Sequence, residues 1–403
     1  MTSQLPQVVI VSGGSEVVGL ALADAANRSA IPYAVISLVP RSLLRKAPGC
    51  VAWVDLHPHL GSQRGLRDKF MDALSKLSKK AGQRLAILPT EDGSLRLLNE
   101  DRDEVLPFGE FSRARSLRMG GVDKAEVVAL AERLKITEGL VPSMVLHEPD
   151  DALSALHAYG QDAVFKPALK PLDMDLSAMG AGGLKVVSVS HVHESPEQLL
   201  ARLRKAWHMS ERWIAQPRLK VGENLERSVC AVRNGAVRAC QVVERAKHPR
   251  MGGTAYWVST EQRRDLIPVA TRLLDALDVL GICEMSYLPD AKGVSQLIEF
   301  NPRPWLQVDL VERAGFQIVS ETIAALAGHR VNSQALQIAR CDWLQPERAV
   351  LAALSGQLPF RQLKSMLSPS VVRSTVFAGY STAVPGARGQ FLSRLVRKLV
   401  GTR

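Results

Sequence analysis

The N-terminal region alternates apolar strand patterns with helical patterns, and this alternation limits the possible folds more than any other feature. The strand patterns cover residues 7–12, 31–38 and 85–89, and the helical patterns cover residues 17–29 and 68–80. Strands that alternate with helices form a parallel sheet that the helices cover. The first part of the chain is therefore predicted to be an α/β domain with a parallel sheet.

The turn after the first strand contains Gly13 and Gly14, which raises the question of a dinucleotide site. A dinucleotide-binding turn has the glycine spacing GxGxxG, and Gly13, Gly14 and Gly19 do not match it. Residues 37–40 read Ser-Leu-Val-Pro, so no acidic residue follows the second strand to bind a ribose. The sequence therefore argues against NAD binding.

Composition sets the size and class of the protein. The chain has 403 residues, of which 46% are hydrophobic and 23% charged, so two to four globular domains are expected. No stretch of about 18 apolar residues predicts a transmembrane helix. The five cysteines form no CxxC pair, which favours neither a zinc site nor a disulfide framework. Together with the lack of a signal-peptide pattern, this predicts a cytoplasmic protein.

Basic residues are concentrated at the C-terminal end. Residues 340–403 contain ten Lys and Arg against two acids, so they carry +8 of the formal net charge of +11. Residues 391–400 place an apolar stripe on one side of a helix and basic residues on the other. This helix either docks on the protein body or makes a weak contact with an anionic membrane surface. Basic and aromatic residues do not interleave, so no nucleic-acid partner is predicted.

The second part of the chain contains two β-hairpin patterns. The paired strands are 227–233 with 236–244 and 282–288 with 294–301, and a helix is predicted over 265–280 between them. A turn centred near Ala291 places Glu284 opposite Ile298, and one bulge then brings Glu284 beside Glu299. Asn301 shares the face of Glu299. Because carboxylate and amide oxygens suit Mg²⁺, this hairpin is either a magnesium site or an ordinary solvated sheet face.

Cationic groups and a glycine-rich loop precede this hairpin. Lys166 ends a predicted strand, residues 163–167, and the glycine-rich loop 177–183 follows it. Glycine-rich loops present backbone N–H groups to phosphate oxygens. Lys124, Lys185 and Arg303 add positive charge. A nucleoside triphosphate bound with magnesium matches all of these groups.

The order of these motifs resembles the ATP-grasp superfamily of carboxylate–amine ligases. It is similar above all to the branch related to the large subunit of carbamoyl phosphate synthase. The motifs are Leu88-Pro-Thr-Glu-Asp92, Asp123-Lys124, Lys166-Pro167, the loop 177–183, Gln216-Pro217, Gly222-Glu-Asn224, Pro249-Arg-Met-Gly-Gly-Thr254, Glu284 and Glu299-Phe-Asn-Pro-Arg-Pro-Trp305. The resemblance covers about residues 7–330. It implies a preATP-grasp domain over 1–120 and an ATP-grasp domain over 121–334. Outside the resemblance, the polar, Arg-rich composition of residues 102–121 predicts a connector, and residues 335–403 are predicted to form a basic C-terminal extension.

The resemblance also implies a role for each site residue. Phosphates of ATP are expected to contact Lys124, Lys166, Gly180, Gly182, Gly183 and Lys185. A hinge of Gln216, Pro217, Arg218 and Leu219 is expected to bind adenine, with Glu223 near the ribose. Glu284, Glu299 and Asn301 are expected to hold Mg²⁺, or Mn²⁺ in its place. Lys166 and Arg303 are the expected catalytic residues, with Arg303 contacting an acyl phosphate.

The expected activity is ATP-dependent activation of a carboxylate as an acyl phosphate and its coupling to an amine, with release of ADP. The expected partners are small-molecule carboxylate and amine substrates. A second copy of the chain, in a homodimer, is a further candidate partner. Two alternatives stay open: carboxylation through carboxyphosphate, and a non-catalytic nucleotide-binding module. The sequence departs from the family pattern at Gln216, where an acid is common, and at Arg245 and Lys247, which lie one place out of register.

Overall fold

The computed structural model describes residues 5–40, 42–59, 63–136, 139–160, 163–169, 187–188, 195–219, 226–247, 255–332, 334, 336–356, 358–366 and 375–377. Several predicted features lie outside these residues. They are the loop 177–183, with Gly180, Gly182 and Gly183, together with Lys185, Glu223, the segment 249–254 and the terminal stripe 391–400. No helix within the described ranges is long and apolar enough to span a membrane.

The N-terminal sheet has five parallel strands in the order β3-β2-β1-β4-β5. The strands are β1 (Val8–Ser12), β2 (Tyr33–Ser37), β3 (Cys50–Asp55), β4 (Leu85–Pro89) and β5 (Gly109–Phe111), and the helices are α1 (Glu16–Arg28), α2 (Gln63–Ala81), α3 (Asp92–Glu100) and α4 (Arg102–Val105). Both faces of β1 are buried: Val8 and Ile10 pack into one core cluster, and Val9 and Val11 pack into another. The parallel α/β arrangement is the one predicted from the strand and helix alternation.

The connector at 102–121 contains more structure than the sequence predicted. It includes α4, the edge strand β5, and a short strand β6 (Arg113–Ala114). β6 pairs with a strand of the large C-terminal sheet at Val279 and Leu280. The polar, Arg-rich composition concealed this structure, because Arg113 is buried with its guanidinium bonded to Glu110 and to the Phe111 carbonyl.

A small antiparallel sheet follows, in the order β7-β10-β8-β9. Its elements are α5 (Lys124–Arg133), β7 (Met144–Leu146), α6 (Asp151–Tyr159), β8 (Val164–Pro167), β9 (Val187–Ser188), α7 (Pro196–Ala206) and β10 (Trp213–Gln216). One face is apolar and packs Phe165, Trp213 and Ala215 among buried residues of α6 and α7. The opposite face carries Ile214, which packs with Ala125 of α5.

The large sheet runs in the order β15-β14-β11-β12-β13-β16-β17. Its strands are β11 (Arg227–Asn234), β12 (Ala236–Lys247), β13 (Ala255–Glu261), β14 (Val279–Pro289), β15 (Ser295–Asn301), β16 (Asp342–Leu344) and β17 (Thr375–Phe377). The helices are α8 (Ile267–Ala276), α9 (Val308–Arg313), α10 (Ile318–Leu326), α11 (Pro346–Leu354) and α12 (Phe360–Met366). Both predicted hairpins are present, as β11–β12 and β14–β15. The predicted helix at 265–280 ends earlier, at Ala276, because β14 begins at Val279.

Contacts between α1 and the α9–α10 pair join the N-terminal domain to the large sheet. Arg313 donates to Asp24 across 3.0 Å, and Arg28 approaches Glu312 to 3.4 Å. Residues of α1, α9 and α10 share one buried apolar cluster. The carboxyl ends of β1 and β4 are therefore held in a fixed position relative to the large sheet.

Candidate active site

Two acids and an amide share one face of the β14–β15 hairpin. Glu284 is paired with Asn301, and Ser286 is paired with Glu299. Paired residues, and residues two apart on one strand, lie on the same face of a sheet. Glu284 and Glu299 are therefore diagonal neighbours, and Asn301 lies directly opposite Glu284.

The predicted register of this hairpin was wrong. Glu284 lies opposite Asn301, three residues beyond the Ile298 that was expected. The turn is centred one residue later than Ala291, since Pro289 pairs with Ser295, and a bulge between Ser286 and Tyr287 adds a further residue on β15. Glu284 and Glu299 still share a face, because the bulge lies between them and the turn and leaves the pairing of the two acids with each other's strands regular.

Burial dominates the electrostatics of this face. It raises the pKa of Glu284 to about 7, and the charge of Glu299 acts in the same direction. Ser228 donates to Glu284 Oε1 at 2.8 Å, and Asn301 Nδ2 donates to Oε2 at 3.1 Å. These hydrogen bonds favour the ionised form, so they act to lower the same pKa. Two neighbouring carboxylates in a buried position attract a cation.

The donor set fits a divalent hard cation. Carboxylates of Glu284 and Glu299 and the side-chain oxygen of Asn301 are the oxygen ligands that Mg²⁺ prefers. In the described ranges, no three His, Cys, Asp or Glu side chains gather in a way that could hold a metal. The third ligand at this site would be an amide, and bound water completes such sites commonly.

Arg303 lies beside the acids but is engaged by the N-terminal domain. Its Nε donates to Asp92 Oδ1 at 2.5 Å, and Nη1 donates to the Pro304 carbonyl at 3.0 Å. Burial acts to lower the pKa of Arg303, and Asp92, with Glu299 and Glu284, raises it above the ordinary value. Asp92 is the first residue of α3, directly beyond the carboxyl end of β4. The guanidinium is thus held at the edge of the acid pair and remains charged.

Lys166 connects the small sheet to this hairpin. Its Nζ donates to the carbonyl of Ile298 at 3.3 Å, and Ile298 is the residue that the bulge leaves out of the strand pairing. Burial lowers the pKa of Lys166, while Glu299 and Glu226 act to raise it. The structure therefore places the predicted phosphate-binding lysine next to the predicted metal ligands, from a separate sheet. We call this region the junction of the two sheets.

Lys124 begins α5, and its predicted N-cap is present. Asp123 Oδ1 accepts from the Ala125 N–H at 2.9 Å, and Asp123 Oδ2 accepts from Arg212 at 2.5 Å. The Lys124 N–H donates to the carbonyl of Ala168, just past β8. The start of α5 is therefore tied to the strand that carries Lys166.

Gln216 ends β10, and the hinge residues Pro217, Arg218 and Leu219 follow it. The Gln216 side chain is buried, and its Nε2 donates to Ser143 Oγ at 2.9 Å. The hinge therefore starts from a fixed side chain. The two basic residues that lie out of register with the family pattern have other partners: Lys247 bonds Glu226, and Arg245 Nε lies 3.4 Å from Ser259 Oγ.

Three site residues escaped the sequence reasoning. Asp92 contacts Arg303 across 211 positions of sequence, Ser228 contacts Glu284 from β11, and Ser143 contacts Gln216 from the segment before β7. Asp92 is the last residue of the motif Leu88–Asp92, so the sequence indicated this acid but not its pairing with Arg303. Neither serine is part of a motif.

A separate crevice of about 780 Å³ lies between the N-terminal domain and the start of α5. Its lining includes Arg67, Asp101, Asp123 and Arg212. Arg67 is paired with Asp101 and Arg212 with Asp123, so these charges are already compensated. None of Glu284, Glu299 and Arg303 lines it.

Solved structures resemble this chain in fold, whereas no family model and no curated protein matches it. An ADP complex of PurK, N5-carboxyaminoimidazole ribonucleotide synthetase, has a TM-score of 0.63 at 14% identity, covering 88% of this chain and 86% of that chain. The N5-carboxyaminoimidazole synthetase from Staphylococcus aureus, complexed with ADP, has a TM-score of 0.62 at 14% identity, covering 91% and 88%.

A third similar structure is the biotin carboxylase domain dimer of Hydrogenobacter thermophilus 2-oxoglutarate carboxylase, in complex with MgADP, ADP and bicarbonate. Its TM-score is 0.61 at 15% identity, covering 84% of this chain and 73% of that chain. At these identities the likeness establishes the fold. The chain has the ATP-grasp fold, with a parallel N-terminal domain followed by antiparallel sheets, which confirms the predicted fold class.

Proposed function

We propose that this protein is an ATP-dependent ligase that phosphorylates a carboxylate to an acyl phosphate with formation of ADP, and joins the acyl group to an amine with release of phosphate. The observation that carries the proposal is the junction of the two sheets, where Lys166 reaches the carbonyl of Ile298 beside Glu299. A cationic group from one sheet thus lies beside an acid pair of the other sheet. A triphosphate with a divalent cation matches both kinds of charge.

Lys166 and Lys124 would hold the phosphates of ATP, with the loop residues Gly180, Gly182, Gly183 and Lys185 and the ribose contact Glu223 as further proposed ligands. Glu284, Glu299 and Asn301 would hold Mg²⁺ or Mn²⁺, which supplies charge stabilisation at the transferring phosphoryl group when bound. The hinge of Gln216, Pro217, Arg218 and Leu219 would contact adenine.

Arg303 would stabilise the negative charge of the acyl phosphate. Its pKa lies above the ordinary value, so it stays charged throughout, and Asp92 keeps its fork in a fixed orientation. Preorganised cations that face developing charge contribute strongly to catalysis, because no reorganisation is needed during the reaction. The coupling of an amine to an acyl phosphate needs no nucleophilic side chain from the protein.

The substrates would be a small-molecule carboxylate and an amine, in a cytoplasmic protein. The proposed domain limits are 1–120, 121–334 and 335–403; β16 joins the large sheet from beyond residue 334. A homodimer is proposed in keeping with the Hydrogenobacter thermophilus structure, which is a dimer of that protein's domain.

Carboxylation through carboxyphosphate is the second candidate. The likeness to a biotin carboxylase domain that binds bicarbonate favours it. In that case bicarbonate takes the place of the carboxylate, and the same cations and acids would act on carboxyphosphate.

A phosphate-release screen tests the proposal. Purified full-length protein with ATP and Mg²⁺ is mixed with pairs of carboxylates and amines, and a parallel series contains bicarbonate and each amine. Phosphate release that requires both an acid and an amine, and that the Glu299→Ala variant lacks, supports ligation. Release that depends on bicarbonate supports carboxylation, and release in no mixture contradicts both.

A further inference from the structure

The Gln216 side chain lies on the face of the small sheet that carries Lys166. Lys166 is paired with Ile214, and Gln216 follows Ile214 by two residues on β10. Because paired residues and residues two apart share a face, Lys166 and Gln216 do so. Gln216 is 9% exposed. This buried polar group lies two residues beyond the partner of the proposed phosphate-binding lysine. It is therefore placed to contact the nucleobase of a nucleotide whose phosphates contact Lys166.

A chain of hydrogen bonds leads from the large sheet to this side chain. The Val141 N–H donates to the carbonyl of Leu297 on β15 at 3.3 Å, and Leu297 N–H donates to Gly139 at 2.6 Å. Ser143 Oγ donates to the carbonyl of Val141 at 2.9 Å, and Gln216 Nε2 donates to Ser143 Oγ at 2.9 Å. The segment before β7 thus joins Gln216 to the hairpin that carries the acids.

The directions of these bonds determine the orientation of the Gln216 amide. A backbone carbonyl only accepts, so the single hydroxyl hydrogen of Ser143 is used on Val141. Ser143 Oγ can then only accept from Gln216, which requires the NH₂ group to face Ser143. Oε1 is left as the acceptor end of the amide. Without Ser143, the amide could rotate by 180° and present its NH₂ group instead.

We propose that Ser143 and Gln216 form a nucleobase selector that favours adenine over 6-oxopurines. The inference rests on the proposed function, in which a nucleotide binds at this junction. Oε1 accepts a hydrogen bond from the 6-amino group of adenine, whereas the 6-oxo group of hypoxanthine or guanine carries only lone pairs there. A site that bonds a donor rejects the analogue that lacks it, because a buried polar group is left unpaired.

Calorimetric titration of the full-length protein with ADP and with IDP, both with Mg²⁺, tests the selector. These two nucleotides differ only around position 6 of the base. The wild type is expected to bind ADP at least about tenfold more tightly than IDP. The Ser143→Ala variant is expected to reduce this preference to within about threefold, because its amide can rotate. An ionised carboxylate only accepts hydrogen bonds, so Gln216→Glu is expected to keep the preference for ADP.

Ser78→Ala is a matched control, since Ser78 also donates to a backbone carbonyl, that of Gln83, but on α2 of the N-terminal domain. It is expected to leave the ratio unchanged. If Ser143→Ala fails to fold, as judged by thermal unfolding, Ser143→Cys replaces it and is expected to reduce the preference as well, because a thiol is a weak hydrogen-bond donor and acceptor. Equal binding of ADP and IDP by the wild type, or an undiminished preference in the Ser143 variant, would overturn the inference alone. Binding of neither nucleotide by the wild type would overturn the proposed function and the inference with it.

Discussion

The two sheets that meet at Lys166 and Ile298 hold their polar groups in different ways. On the large sheet, Glu284 lies within β14, an 11-residue strand, and is bonded to Ser228 and Asn301 on the strands at either side. On the small sheet, Lys166 lies on a four-residue strand, and its Nζ contacts a backbone carbonyl of the other sheet. The acids are thus positioned by their own sheet, whereas the lysine is positioned across the junction. Substitutions should accordingly affect metal-dependent chemistry on the large sheet and nucleotide affinity on the small sheet.

The largest expected effect is on the large sheet. Glu299→Ala should lower turnover in the phosphate-release assay by about 100-fold or more, since it removes a group that positions charge stabilisation for phosphoryl transfer. Its melting temperature without ligand should stay close to that of the wild type, because deleting one of two neighbouring acids also removes repulsion. Near-normal turnover would exclude Glu299 from the site.

The Asp92–Arg303 pair should matter for stability as well as for the site. Asp92→Asn removes the directly bonded carboxylate from a mostly buried guanidinium, and we expect a loss of roughly 3 kcal/mol in the free energy of unfolding, measured with urea. The exposed pair of Asp72 and Lys76 on α2 provides the control, and Asp72→Asn should leave the unfolding midpoint almost unchanged. Equal behaviour of the two variants would mean that the Arg303 pair is no stronger than a surface pair.

On the small sheet, Lys166→Ala should weaken the binding of a non-hydrolysable ATP analogue by roughly tenfold or more, because a charge-assisted hydrogen bond contributes about 1.5–3 kcal/mol. Calorimetric titration measures this directly. Lys292, which lies in the exposed β14–β15 turn, offers a comparison, and Lys292→Ala should bind the analogue normally. Unchanged affinity in the Lys166 variant would remove this residue from the phosphate site.

The smallest expected effect is a pH dependence of stability without metal. Because burial raises the folded-state pKa of Glu284 to about 7, the unfolded chain loses this proton first. The contribution of Glu284 to stability is therefore greatest below its unfolded pKa, falls as the pH rises, and levels off above about 7. From about pH 6 to about pH 7 the wild type should lose about 1 kcal/mol relative to Glu284→Gln, which does not titrate. Parallel curves for the two proteins would contradict the assigned pKa.

The contrast between local and long-range features explains what the sequence could predict. Alternating strands and helices, the N-cap at Asp123 and both hairpins depend on neighbouring residues, and they were predictable. The register of β14–β15 was not, because the turn is centred one residue later than expected and the bulge adds a further residue on β15, and no local pattern determines either position. The partners Asp92 and Arg303 were both visible, yet their contact depends on how α1 packs against α9 and α10.

The remaining gap concerns polar groups that only the tertiary structure brings together. Ser143 and Gln216 lie 73 positions apart, and nothing local marks the serine as a partner of the amide. Residues 102–121 were predicted to be a connector because they are polar and Arg-rich, but Arg113 is buried and paired. In both cases a buried polar side chain is satisfied by a hydrogen bond or ion pair, and the local sequence pattern did not indicate the partner.

The most direct test of the central claim is the Mg²⁺ dependence of nucleotide affinity. The affinity of a non-hydrolysable ATP analogue is measured with and without Mg²⁺ for the wild type and for Glu299→Gln. If one ligand binds between Lys166 and the acid pair, Mg²⁺ strengthens binding to the wild type, and the Glu299 variant loses most of that gain. The same Mg²⁺ effect in both proteins, or no binding by the wild type, would contradict the proposed site at the junction of the two sheets.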